Sequence, residues 1–323
     1  MSLFASIDIG SNTIRLLIGS VKGSRIKDVF SARKITRLAK GISQTGILKK
    51  ENIEASLKVL REFSSIISGY GVKNVNVLAT SALREAKNSE EFLKKTLAHA
   101  GLNIKIISGQ KEAELTLKGI LSSLQDQSVN TYSSLFIVDI GGGSTEWILC
   151  KNKYPVDMGS IPVGVIKLQE NFIKSDPVSK EDLKRLIREI SPFLEDLKIR
   201  VGRYLNKNTG FIGTAGTFTT IASIDLELQT YSREKVHLHR IPLARLCEMD
   251  RRLLALPLAE RKNITGLEPE RADLIIPGIQ FTIKIMNYFR FDELIVSDHG
   301  LLEGALLEIA ESDEENIQET PKP

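Results

Sequence analysis

Two stretches of this sequence share one grammar, 131 residues apart. Phe4 to Gly19 reads FASIDIGSNTIRLLIG, and Phe136 to Leu149 reads FIVDIGGGSTEWIL. Each is an apolar run that ends on an aspartate, meets a glycine-containing loop with hydroxyls, and enters a second apolar run. Asp8-Ile9-Gly10 aligns with Asp139-Ile140-Gly141. The offset is too long for a solenoid, whose periods run about 20–50 residues. It predicts two similar domains, each opening with a strand–loop–strand hairpin.

The loops can be read in two ways. Glycine supplies positive φ at little steric cost, so a tight hairpin alone would use one. Three in a row, Gly141, Gly142 and Gly143, expose backbone N–H groups, and Ser144 and Thr145 add hydroxyls. Such a nest suits phosphate. Asp139 and Glu146 have the wrong sign for phosphate but suit a hard cation, Mg²⁺ or Mn²⁺, that bridges to it.

A chain of 323 residues predicts two domains. No apolar run nears the roughly 18 residues of a membrane span, and no signal peptide is read at the N-terminus. Cys150 and Cys247 suggest neither a disulfide nor a zinc site, so the expected compartment is cytoplasmic, with no membrane partner. Net charge is +4; the last thirteen residues contribute −4, leaving +8 on the body. A basic body favours anionic partners. Basic–aromatic interleaving is missing, so nucleic acid is not expected as a partner. The acidic stretch 311–323 reads as a disordered tail.

Strands are expected near 4–9, 13–20 and 25–36, then a helix from about residue 50 to Gly69. VNVLAT follows as a strand, then a helix from a capping box at Asn88 and Glu91 to Ala100. NIKIIS is a strand, and a helix runs over 109–124. The second half repeats the order: a hairpin, a third strand over 154–161, helices over 164–174 and 180–205, and a strand over 209–213. Helices over 242–254 and 269–289, the strand ELIVS and a helix over 299–310 complete it. The fold class is α/β: mixed sheets faced by helices, with ligands expected beyond the strand ends. The predicted domains are 1–127 and 128–310, with the last helix, 299–310, allotted either to its own half or to packing on the first domain. The polar stretch QDQSVNTYSS marks the junction.

No P-loop, zinc-protease or nucleophile-elbow signature occurs. Gly213 to Thr217, GTAGT, is a strand-to-helix loop that suits an anion or only a tight turn. Arg84, between a strand end and a helix start, could fork onto phosphate or stand in solvent. Glu112 lies in a first helical turn, where the dipole favours an acid by about 0.3–1 kcal/mol. Spacing does not separate it from Glu114. The basic clusters SARKITRLAK and REKVHLHR read first as solvated faces, and His237 and His239 alternate as strand neighbours would.

Taken in order, DIGSNTIRLLI, ATSALREAKN, IISGQKEAEL, VDIGGGSTEWIL, IGTAGT and LIVSDHGLLEGAL resemble the exopolyphosphatase / guanosine pentaphosphate phosphatase (Ppx/GppA) family. The resemblance covers the chain to about Ala310. It implies two ribonuclease-H-like domains of the actin, sugar kinase and heat-shock ATPase superfamily, with an active cleft between them. It implies Glu112 as the general base, and Asp139, Glu146 and Asp8 as carboxylates of a Mg²⁺ site. Ser11, Asn12, Arg84, Gly141 to Ser144, and Gly213, Thr214, Gly216 and Thr217 are the implied phosphate contacts. Lys111 departs from the family, holding a place often acidic. The helical domain of longer members, resembling the HD phosphohydrolases, is not expected here.

The implied reaction is metal-assisted attack of water on the terminal phosphoanhydride of inorganic polyphosphate. The alternative is pppGpp, cleaved to ppGpp in the stringent response. A phosphotransferase and a non-catalytic phosphate sensor are the rival classes. A homodimer is left open as the assembly.

Overall fold

The computed structural model describes residues 2–124 and 132–319. Most of the expected junction, including residues 127 and 128, lies outside them. The chain divides into two compact units: Met1–Asp126 with His299–Pro323, and Gln127–Asp298.

The first unit begins β1 (Phe4–Ile9), β2 (Thr13–Lys22) and β3 (Arg25–Ile35). It continues with α1 (Ile42–Thr45), α2 (Lys50–Gly69), β4 (Asn74–Ala79), α3 (Ser81–Glu85), α4 (Ser89–Ala100), β5 (Lys105–Ile106) and α5 (Gly109–Ser123). The second contains β6 (Ser134–Ile140), β7 (Thr145–Lys151), β8 (Tyr154–Ile161), α6 (Val165–Phe172), α7 (Lys180–Val201), β9 (Thr209–Thr214) and α8 (Ala215–Asp225). Then come α9 (Arg233–Val236), β10 (Arg240–Pro242), α10 (Leu243–Leu254), α11 (Leu258–Arg261), α12 (Ile275–Phe289) and β11 (Glu293–Ser297). Finally α13 (Leu301–Glu319) returns to the first unit.

The two sheets share a five-strand topology, to which the second adds β10, antiparallel at the edge beside β11. The first runs β3-β2-β1-β4-β5, the second β10-β11-β9-β6-β7-β8. In each, an antiparallel three-stranded meander is extended by parallel strands that follow helices. This is the ribonuclease-H-like arrangement, present twice. The two hairpin loops close identically: Gly10 N–H donates to Thr13 O, and Gly141 N–H to Ser144 O, both at 3.0 Å.

Apolar periodicity builds the layers. The face of α2 carrying Ile53, Leu57, Leu60, Phe63 and Ile67 is buried, each large side chain contributing about 1.5–3 kcal/mol. Helices α5 and α13 meet at backbone distance, because a Cβ on Gly304 would lie 1.9 Å from Leu115 O. The second core stacks Phe136, Phe211 and Phe291, the last two with centroids 5.0 Å apart.

Several local expectations change. The tail expected to be disordered from 311 is helical through Glu319, where Lys118 grips Glu311 and Asn74 Nδ2 donates to Asp313 Oδ1 at 2.7 Å. Asn88 makes no capping bond; its amide clasps Leu48, accepting from its N–H at 2.9 Å and donating to its carbonyl at 3.1 Å. His237 and His239 flank Leu238, whose φ of 61° breaks a strand. No helix among the described residues is long and apolar enough to cross a membrane.

Candidate active site

In the second unit, strand register assembles the polar residues. Asp139 faces Glu146 across the β6–β7 hairpin and Thr214 on β9; Thr214 faces Ser297 on β11, and Glu146 faces Ser160 on β8. Paired residues share a sheet face, so Ser297, Thr214, Asp139, Glu146 and Ser160 form one row. The two carboxylates are buried, Glu146 completely at 0% exposure. Its Oε1 accepts hydroxyls from Ser144 at 2.9 Å and Ser160 at 2.6 Å.

The glycine loop beside this row turns its carbonyls inward. Gly141 O accepts from Val165 N–H at 3.0 Å and Gly142 O from Ile166 N–H at 2.9 Å, so the loop caps α6. Gly164 makes the approach possible, since a Cβ there would stand 2.4 Å from the Gly142 carbonyl carbon. The N–H groups of Gly142 and Gly143 donate to none of the described residues.

The first hairpin repeats the device. Asn12 O accepts from the N–H groups of Thr36 (3.0 Å) and Arg37 (2.9 Å), and Ser11 O from Ala39 N–H (2.9 Å). The N–H groups of Ser11 and Asn12 donate to none of the described residues. The Ser11 hydroxyl meets Ser81 at 3.0 Å, and the buried Asn12 amide finds no side-chain partner. Buried Asp8 is held through Oδ2 by Arg15, Nε at 3.0 Å and Nη2 at 2.7 Å, while its Oδ1 is buried without a partner.

Glu112, in the first turn of α5, is 7% exposed. Arg84 Nη1 donates to its Oε2 at 2.7 Å and to Ile107 O at 2.9 Å. The Ser108 hydroxyl caps that helix by accepting from Lys111 N–H at 3.1 Å. Glu114, inseparable from Glu112 by spacing, is exposed and 3.8 Å from Lys111. Glu308 lies 2.6 Å from the Lys111 ammonium and holds it above the ordinary lysine range.

Several expected phosphate contacts have structural duties. Thr145 donates its hydroxyl to Val163 O at 2.6 Å, and Thr217 to Ile140 O at 2.8 Å. Gly213 makes room for Phe218, whose ring would lie 2.2 Å from an added Cβ. Gly216 lies under Arg271, 2.2 Å from its Nη1 on the same measure. Between them Ala215 adopts φ 66°, a conformation that costs a non-glycine residue about 1–3 kcal/mol. The sequence reading missed Arg15, Ser81, Ser160 and Arg271. Arg15 alone had a signal: it lies 131 residues before Glu146.

No three His, Cys, Asp or Glu residues gather into a metal cage among the described residues. Two neighbouring carboxylates nevertheless fit Mg²⁺, which keeps several waters and takes one or two carboxylates plus phosphate oxygens. Asp139 and Glu146 meet that requirement within one unit, and Asp8 offers Oδ1 in the other.

Comparison with known proteins identifies relatives of the whole chain. Exopolyphosphatase 2 of Mycobacterium tuberculosis is 30% identical over 95% of this chain and 98% of its own. A bifunctional 3-dehydroquinate synthase/phosphatase of Fusobacterium nucleatum is 32% identical over 96% of this chain, which spans only 47% of that protein. The Aquifex aeolicus Ppx/GppA family structure aligns with TM-score 0.77 and 31% identity, covering 98% of this chain and 99% of that one. An exopolyphosphatase structure from Cytophaga hutchinsonii aligns with TM-score 0.87 and 25% identity over 96% and 98%. The model of the Ppx/GppA phosphatase family matches residues 17–313. The chain belongs to the Ppx/GppA phosphatase family.

Proposed function

We propose that this protein hydrolyses a terminal phosphoanhydride and releases phosphate from inorganic polyphosphate. One observation carries the reading. In both hairpin loops the carbonyls are engaged by the following segment, while N–H groups of Ser11, Asn12, Gly142 and Gly143 donate to none of the described residues. Within each loop, backbone donors without a partner among the described residues suit anionic oxygens.

Each group then has a part in the chemistry. Glu112 takes the proton of the attacking water at its carboxylate, with Arg84 fixing Oε2. The loop N–H groups stabilise charge on the transferred phosphoryl oxygens, each well-placed donor being worth about 2.7–4 kcal/mol. Asp139 and Glu146 would hold a divalent cation, Mg²⁺ or Mn²⁺, which when bound supplies charge neutralisation at the phosphate oxygens. No covalent intermediate on the protein is required.

Polyphosphate is preferred over pppGpp because the Mycobacterium and Cytophaga relatives are both named exopolyphosphatases. The test is Mg²⁺-dependent phosphate release from polyphosphate, pppGpp, ATP and ADP, with and without an added acceptor. Glu112→Gln should bind polyphosphate normally and lose about 10²–10⁴ in turnover. A near wild-type rate removes Glu112 as the base. Binding without hydrolysis of any of these substrates favours a phosphate sensor.

A further inference from the structure

The basic stretch SARKITRLAK is not used by the reaction just described, yet it touches the hairpin loop directly. Ala39 N–H donates to Ser11 O, and Lys40 N–H to Arg37 O, both at 2.9 Å. From Lys40 the chain makes a turn around α1, entered through Gly41 at φ 86° and left through Gly46 at φ 68°. Both glycines leave room for a lysine stem. A Cβ on Gly41 would stand 2.6 Å from Lys49 Cε, and one on Gly46 would stand 3.1 Å from Lys87 Cε. Lys87 N–H also donates to Gly46 O at 2.9 Å. Lys87 lies three residues beyond Arg84, so the same short segment carries the guanidinium on Glu112 and the ammonium on this turn.

Lys40, Lys49 and Lys87 are exposed, and none forms an ion pair with a described residue. Elsewhere in this unit Lys34, Lys95, Lys111 and Lys118 are paired with acids, while Lys22, Lys27, Lys50, Lys58, Lys73 and Lys105 form no ion pair with a described residue either. What sets the three apart is their place on the turn that follows the Ser11 contact. A cation left in water beside a phosphate-binding loop keeps its charge for a mobile anion.

We infer that Lys40, Lys49 and Lys87 form a subsite for the continuing phosphates of a polyphosphate chain beyond its reacting end. This rests on the phosphoanhydride reading, and it names the substrate class as a long polyanion. A flexible, sequence-free polyanion is matched by ammonium groups on long stems, which act as point charges and demand no fixed geometry. Binding of this kind is driven by counterion release and weakens with salt in proportion to the number of phosphates contacted.

The test compares the wild type with a Lys40→Gln, Lys49→Gln, Lys87→Gln variant on long-chain polyphosphate and on tripolyphosphate. The expected result is a KM for the long chain raised about tenfold or more, with tripolyphosphate kinetics unchanged. The slope of log(kcat/KM) against log salt for the long chain should fall by about two to three. Equal losses on both substrates, or no loss on either, overturn the subsite. If the wild type hydrolyses neither substrate, the catalytic reading fails by itself. Calorimetric binding of long-chain polyphosphate then decides the subsite: weaker binding by the variant supports it, and equal binding overturns it.

Discussion

Replacing Asp250 by asparagine is expected to shift the pH dependence of stability by about 3 kcal/mol between pH 4 and pH 7.5. Asp250 lies on α10, buried, with Gln280 Nε2 of α12 donating to its Oδ2 at 2.7 Å. Its Oδ1 is buried without a partner. Burial pushes the carboxyl up to about 6, and the Gln280 hydrogen bond only partly opposes this. An unfolded aspartate titrates near 3.9. Because the folded value is raised, the folded state keeps a proton that the unfolded chain has already lost. The stability this contributes is complete below about pH 4 and is lost as pH rises through about 6. Two pH units at about 1.4 kcal/mol each give the stated magnitude. Asparagine never titrates, and its carbonyl can still accept from Gln280. Its amide N–H groups cost about 1–3 kcal/mol where Oδ1 had no partner, but equally at every pH. The variant should therefore be less stable than wild type at pH 4 and level with it or better at pH 7.5. Urea unfolding followed by Trp147 is the assay, since this single tryptophan lies on β7 of the same unit. A stability difference that stays constant across this range, or moves the other way, refutes the reasoning.

Asp182→Asn should do the reverse. Burial opposes the charge on Asp182, but the hydroxyl and N–H of Ser175, the N–H of Lys174 and Arg185 overcome it and lower the carboxyl to about 2. Its contribution, about 2–3 kcal/mol, is present above about pH 4 and lost as pH falls through 2, so a urea series extended down to about pH 2 should show the variant's deficit, constant from pH 4 to pH 7.5, shrinking below pH 4. Gly164→Ala should cut phosphate release at least about tenfold while costing about 1–3 kcal/mol of stability, because the new methyl meets the Gly142 carbonyl. Wild-type turnover in that variant would show that the glycine loop has no catalytic part.

The fold was legible because the two hairpins repeat at one offset, and because stripes such as Ile53-Leu57-Leu60 have helical period and are buried as a face. The site was legible only where residue type implies chemistry. Asp139 and Glu146 lie opposite each other because hairpin register is set by the length of the loop between them. What remained hidden depends on contacts between segments far apart in sequence. Ser160 reaches Glu146 from another strand, Arg84 reaches Glu112 from 28 residues away, and Asn88 clasps Leu48 where a capping box was expected. A hydroxyl in a glycine loop looks the same in sequence whether it faces a ligand or, like that of Thr145, a carbonyl of its own unit.

The offset that reveals the two units also separates their chemistry. Position by position, Gly10 corresponds to Gly141 and Asp8 to Asp139, but Arg15 corresponds to Glu146. The residue facing the aspartate across the hairpin is thus a cation in one unit and an acid in the other. In the first, the guanidinium neutralises Asp8 by a charge-assisted pair, so a cation there meets one remaining oxygen and a positive neighbour. In the second, two carboxylates face each other across the hairpin, and the proposed divalent cation would offset the repulsion of like charges there. One backbone device, a hairpin loop with outward N–H groups, therefore carries opposite electrostatics in its two copies. The donors of both suit phosphate, while the proposed metal would be drawn more strongly to the copy with Asp139 and Glu146.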